Sequence, residues 1–123
     1  MSQDVIADAL NQIMNAKKVK KNFIEIRHHS KVLINLLNIM KEKGYINFHE
    51  ENKKIIIELI KLNECYAIKP RFNVGVNEIN KYLRRFLPSR NFGTLIISTN
   101  KGLMEHEKAE ENKIGGSLIA YFY

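Results

Sequence analysis

The sequence predicts an α+β protein, with an N-terminal α-β-α-β-β unit over residues 1–64 and a β-rich C-terminal unit with a short helix over residues 65–123. Two stretches early in the chain repeat apolar residues at helical spacing. Later, the apolar residues gather into short β-branched blocks cut by Asn, Gly and Pro, the pattern of strands and turns. The composition, 45% hydrophobic, supports a packed core, and 123 residues suffice for one domain or two very small ones.

Val5, Ile6, Ala9, Leu10, Ile13 and Met14 fall on one helical face, so residues 3–16 are expected to form an amphipathic helix, with Ser2 or Asp4 as its N-cap. Phe23, Ile24 and Ile26 then read as a strand leaving a basic block. Ser30 can cap a second helix whose stripe is Val32, Leu33, Leu36, Leu37 and Met40, and Gly44 suits the left-handed position that closes it. Residues 45–48 and 54–62 form two strands around a hairpin at Glu50-Glu51-Asn52. In the longer strand Ile55, Ile57 and Leu59 share one face and Glu58 lies on the other, so one side of this sheet should pack on helices while the other is wet.

A break at Asn63-Glu64 separates the two units. Residues 66–68 lead into Lys69-Pro70-Arg71-Phe72, where a proline without an N–H suits a strand edge or entry. Asn77 is a candidate cap for a short helix with the stripe Ile79, Tyr82, Leu83 and Phe86, which Pro88 stops. Thr94-Leu95-Ile96-Ile97 has the composition of a buried strand, and it delivers Ser98-Thr99-Asn100-Lys101-Gly102 to a tight turn. Gly102 can take positive φ there, and the three polar residues offer short donors and acceptors on a rigid base. Residues 105–112 should make one or two helical turns, and a flexible Gly115-Gly116 pair precedes a terminal strand over 117–123.

Twenty Lys and Arg against thirteen Asp and Glu give a net charge of +7, which favours a polyanionic partner such as nucleic acid. The charge is clustered. Lys17, Lys18, Lys20, Lys21, Arg27 and Lys31 are opposed only by Glu25, and Lys69, Arg71, Lys81, Arg84, Arg85 and Arg90 only by Glu78. No apolar run approaches the roughly 20 residues that span a bilayer. The first residues lack the basic-then-apolar pattern of a secretory signal, and the single Cys65 cannot form an internal disulfide, so a soluble protein of a reducing, cytoplasmic compartment is expected.

Catalytic and metal chemistry finds little support. His28, His29, His49 and His106 are scattered without ligand spacing or cysteine partners and read as surface histidines. A triad of Ser98, His106 and a glutamate lacks the nucleophile-elbow pattern, and Gly115-Gly116 lacks the Lys and Ser/Thr of a phosphate loop. No metal, cofactor or small-molecule substrate is expected.

The stretch 93–104, Gly-Thr-Leu-Ile-Ile-Ser-Thr-Asn-Lys-Gly-Leu-Met, followed by Ala109 and Gly115-Gly116, resembles the signature of the universal small-subunit ribosomal protein S-eight family. Residues 4–16, Ser30-Lys31-Val32, Gly44-Tyr45-Ile46, Pro70-Arg71-Phe72 and Leu87-Pro88-Ser89-Arg90-Asn91-Phe92-Gly93 resemble the same family in the same order, so the likeness covers essentially the whole chain. Pro-Arg-Phe, Leu-Pro-x-Arg-x-Phe-Gly and the aromatic end Tyr121-Phe122-Tyr123 are similar to its archaeal and eukaryotic branch.

The resemblance implies a two-domain ribosomal constituent that binds a helical element in the central domain of small-subunit ribosomal RNA and supports its assembly. It further implies neighbouring ribosomal proteins, no membrane, and a monomer off the ribosome. The family's RNA-contacting turn maps onto Ser98, Thr99, Asn100 and Gly102; Lys31, Lys69, Arg71 and Lys101 are the leading candidates for phosphate, followed by Lys17, Lys18, Lys20 and Lys21. The chain departs from the family at Asn100, where many members carry Ser, and at Glu110, where a basic residue is usual. A non-ribosomal RNA-binding regulator and a small serine hydrolase are the alternatives.

Overall fold

The computed structural model describes residues 5–27, 30–68, 73–88 and 92–123. They form two units, Met1–Cys65 and Tyr66–Tyr123. The first contains α1 (Val5–Lys18), β1 (Phe23–Ile26), α2 (Lys31–Glu42), β2 (Ile46–Glu51) and β3 (Lys54–Leu59). The second carries β4 (Cys65–Ala67, opening at the last residue of the first unit), β5 (Asn73–Val74), a 3₁₀ turn (Val76–Glu78), α3 (Ile79–Phe86), β6 (Thr94–Thr99), β7 (Gly102–Glu105), α4 (His106–Glu111) and β8 (Gly116–Phe122). This is the α+β class that the sequence predicts, with two short strands, β5 and β7, added.

In the N-terminal unit α1 buries Ile6, Ala7, Ala9, Leu10, Ile13, Met14 and Ala16. Its proposed caps Ser2 and Asp4 lie outside the described residues. At α2 the Ser30 hydroxyl accepts the Leu33 N–H at 3.3 Å, so the predicted cap is formed. The helix closes on Gly44 at φ +83, with Gly44 N–H donating to Lys41 O and Tyr45 N–H to Met40 O, the reciprocal pair of a Schellman motif. Leu33, Leu36, Leu37 and Met40 are fully buried, whereas Val32 is 45% exposed. A turn of 100° per residue puts Val32 at the margin of the stripe defined by the other four.

The antiparallel sheet runs β1-β3-β2. Ile26, Ile46, Ile55 and Ile57 face the core. The β2–β3 hairpin turns on Asn52 and Lys53, both at positive φ, as the two-residue mirror-image turn requires. Glu50 and Glu51, placed in the turn by sequence, therefore belong to β2, because the turn needs only two residues. Cys65 is 1% exposed; its thiol donates to Leu10 O at 3.7 Å, and burial, with Glu64 nearby, pushes its pKa up to about 12.

The C-terminal unit is an antiparallel five-stranded sheet with the order β4-β8-β6-β7, and β5 also pairs with β8. Leu95, Ile97, Met104 and Leu118 form the core with Ile79, Leu83 and Leu87, and Tyr82, Phe86, Tyr121 and Tyr123 pack at its margin. The short helix starts differently from the prediction. Asn77 lies inside the 3₁₀ turn, and it is Glu78 that reaches back to accept the Gly75 N–H at 3.2 Å. The helix stops at Leu87, whose ψ of 147° is the extended conformation imposed before Pro88.

Candidate nucleic-acid interface

β6 does not end at Ile97. It runs through Ser98 and Thr99, and the reversal occupies Asn100 and Lys101, with Thr99 opposite Gly102 and Ser98 opposite Leu103. Gly102 takes φ +107, while neither Asn100 nor Lys101 has positive φ. Positive φ directly after the two turn residues is a conformation that glycine takes without steric cost. The Thr99 hydroxyl donates to Gly102 O at 2.8 Å and accepts the Lys101 N–H at 3.1 Å, so it closes the turn from inside. Asn100, Lys101 and Gly102 are left exposed, and Ser98 is half-buried.

Ser98 pairs across to Ser117 on β8, and Ser117 pairs with Asn73 on β5. The Ser117 hydroxyl lies 2.6 Å from Asn73 Oδ1. One end of the sheet thus carries a polar row, Asn73, Ser117 and Ser98, leading to the hairpin. Sequence reasoning missed the first two, since a two-residue strand gives no periodicity from which to read its register. The glycine pair is also corrected. A Cβ at Gly116 would strike Ser98 O, and one at Gly115 would strike Val74 O, so these residues permit close strand approach and do not act as a flexible joint.

In the N-terminal unit Lys17 and Lys18 occupy the last turn of α1, and Lys20 and Lys21 follow it. Cations at a helix C-terminus are favoured by the dipole, so stability alone explains much of this group. Lys31 is different. It is the first residue of α2, exposed, in a first turn without an acidic residue. The helix dipole disfavours a cation there, so helix stability does not account for this lysine. Lys69, Arg71 and Arg90 lie outside the described residues. On α3, Lys81, Arg84 and Arg85 are exposed, with Lys81 5.7 Å from the Tyr82 ring centre and Arg85 5.6 Å from that of Phe86.

The hydrolase alternative meets a geometric objection. His106, expected at the surface, is 5% exposed, and its Nδ1 accepts the Leu95 N–H at 3.1 Å. That nitrogen is engaged by backbone and is not a base for Ser98. His28 and His29 lie outside the described residues, and His49 is exposed, 3.3 Å from Glu51. Among the described residues no three His, Cys, Asp or Glu side chains gather as a metal site would require. No helix among them is long and apolar enough to cross a membrane.

The family model for Ribosomal protein S8 matches residues 4–123. The chain belongs to the ribosomal protein S8 family. It is 44% identical over 98% of its length to the small ribosomal subunit protein uS8 of Methanococcoides burtonii, covering 97% of that relative. The protein of the same name from Archaeoglobus fulgidus is 43% identical, with both chains covered completely. That from Eremothecium gossypii is 41% identical over 97% of this chain and 96% of the relative. The archaeal and eukaryotic character of the aromatic end agrees with these likenesses. The chain is therefore a small-subunit ribosomal protein of a non-enzymatic family.

Proposed function

We propose that this chain binds a helical element in the central domain of small-subunit ribosomal RNA and supports assembly of that domain, in the cytoplasm, entering the subunit as a monomer. The C-terminal unit supplies the specific contact. The observation that carries this reading is the β6–β7 hairpin: its conformation is locked by the Thr99 hydroxyl, and it presents Asn100, Lys101 and Gly102 beside a polar row.

A-form RNA offers ribose 2′-hydroxyls and base edges in a wide, shallow minor groove, which short polar groups on a tight turn can approach. Ser98 and Asn100 can donate and accept there, and Gly102 lets the backbone come close. Lys31, Lys69, Arg71 and Lys101 hold phosphates, with Lys17, Lys18, Lys20 and Lys21 adding to the field; these contacts set position, not sequence. Neighbouring ribosomal proteins complete the environment.

The test is binding of a central-domain RNA fragment by the double variant Ser98→Ala, Thr99→Ala. The expected loss is about 1–3 kcal/mol, the scale of a good base-edge contact in DNA. Thr99→Ser separates the two functions of the turn, since it keeps a hydroxyl able to close it. Unchanged affinity in the double variant would make the hairpin structural only.

A further inference from the structure

The three-stranded sheet of the N-terminal unit has one side without a helix. Ile26, Ile46, Ile55 and Ile57 are buried on the inner side, whereas Phe23, Glu25, Asn47, His49 and Glu58 on the other are exposed, with Ile56 half-buried among them. The register sets Phe23 beside Glu58 and Ile56 between Glu25 and His49. Phe23 and Ile56 are diagonal neighbours on adjacent strands, close enough to form one apolar spot. Phe23 is 59% exposed, so most of its aromatic surface faces solvent.

A groove of about 90 Å³ opens on this face, lined by Phe23, Asn47, Phe48, His49, Ile56 and Glu58. Small-molecule sites are several times larger, roughly 300–1,000 Å³, so this one has room for a single long side chain. Its charge runs against that of the chain. Lys54 and Arg27 are both spent on Glu25, at 2.9 and 3.5 Å, which holds the Glu25 carboxyl below the usual carboxylate range. His49 stands by Glu51. Glu58 has no cation beside it among the described residues. A carboxylate without a partner beside the apolar spot of Phe23 and Ile56 repels phosphate and attracts a cation with an apolar stem.

We propose that this face receives an arginine from a neighbouring protein of the small subunit, with the guanidinium paired to Glu58 and its plane against Phe23 and Ile56. Arginine is chosen over lysine because its planar, weakly hydrated head both stacks on an aromatic ring and meets a carboxylate with two donors. The proposal rests on the reading of the chain as a subunit constituent and assigns this surface to protein, away from RNA.

The experiment replaces Phe23 with the photoreactive p-benzoylphenylalanine in chains incorporated into small subunits, followed by irradiation and peptide identification. The expected product joins position 23 to a protein segment with an arginine close to the attachment point, and Glu58→Arg in the same chain lowers its yield by about tenfold. A cross-link to ribosomal RNA, no cross-link, or a protein cross-link insensitive to Glu58→Arg overturns the proposal. Phe23→Ser and Glu58→Arg, both at exposed positions, should leave affinity for the isolated RNA fragment within about twofold, and a larger loss also overturns it. If the parent chain itself fails to bind that fragment, the RNA reading fails while the cross-link result stands on its own.

Discussion

Lys20 and Lys113 hold left-handed backbone, at φ 61 and 56, where α1 and α4 end. Each closes its helix with the same reciprocal bonds as Gly44: Lys20 N–H to Lys17 O and Lys21 N–H to Ala16 O in one, Lys113 N–H to Glu110 O and Ile114 N–H to Ala109 O in the other. A side chain in that conformation costs about 1–2 kcal/mol, part of which glycine returns through its greater unfolded-state entropy. Lys113→Gly should therefore stabilise the protein by about 0.5–1 kcal/mol, seen as a higher denaturant midpoint at unchanged slope. Only Gly44 announced its role in the sequence; a lysine in the same place gives no signal. His106 is similar. His106→Phe keeps an aromatic ring but strands the Leu95 N–H, and should cost about 1–3 kcal/mol in unfolding measurements. Cys65 was legible as core, and its thiol, pushed up to about 12 by burial, should react with a disulfide reagent at pH 8 only after denaturation. Because the folded thiol's pKa lies above the unfolded one, it contributes stability that is complete below the ordinary thiol range and declines as pH rises toward 12.

Helices and long strands were legible because their apolar residues recur with a clear period: Leu33, Leu36, Leu37 and Met40 on α2, and Ile55 and Ile57 on β3. β5 and β7 were not: two residues give no alternation to read, and Gly102-Leu103-Met104-Glu105 has no β-branched residue to mark a strand. The hairpin was half legible. Its residue types marked a turn, but Ser98 and Thr99 proved to be paired strand residues, and only register reveals their alignment with Ser117 and Asn73. α4 poses its own electrostatic problem. Glu107 lies in the first turn, where the dipole favours it, but Glu110 and Glu111 close the helix, where the dipole opposes them. Glu110 Oε1 is buried and has no hydrogen-bond partner among the described residues. Glu110→Arg removes that oxygen and places a cation at the favoured end, so a gain of about 0.3–1 kcal/mol in unfolding free energy is expected. A loss of stability would mean that the carboxylate holds an interaction the geometry does not reveal.

The whole molecule carries +7, and that charge should govern how its RNA affinity responds to salt. Each phosphate neutralised releases condensed counterions, so log affinity falls linearly with log salt, with about 0.7–0.9 in slope per contact. The proposed interface combines two kinds of group that this measurement separates. In the proposed interface Lys31 acts through charge at the positive end of α2, so Lys31→Ala should weaken the central-domain fragment and an unrelated RNA helix alike and reduce the slope by about 1. Ser98 carries no charge, so Ser98→Ala should leave the slope unchanged and lower affinity for the central-domain fragment alone. If Lys31→Ala instead spares the unrelated helix, the lysine reads a feature particular to the cognate RNA, and sequence discrimination would extend into the N-terminal unit. If Ser98→Ala shifts the slope, the Ser98 side chain positions Lys101 on its phosphate, and its loss acts through displacement of that lysine, which Lys101→Ala in the same background would show by producing no further change.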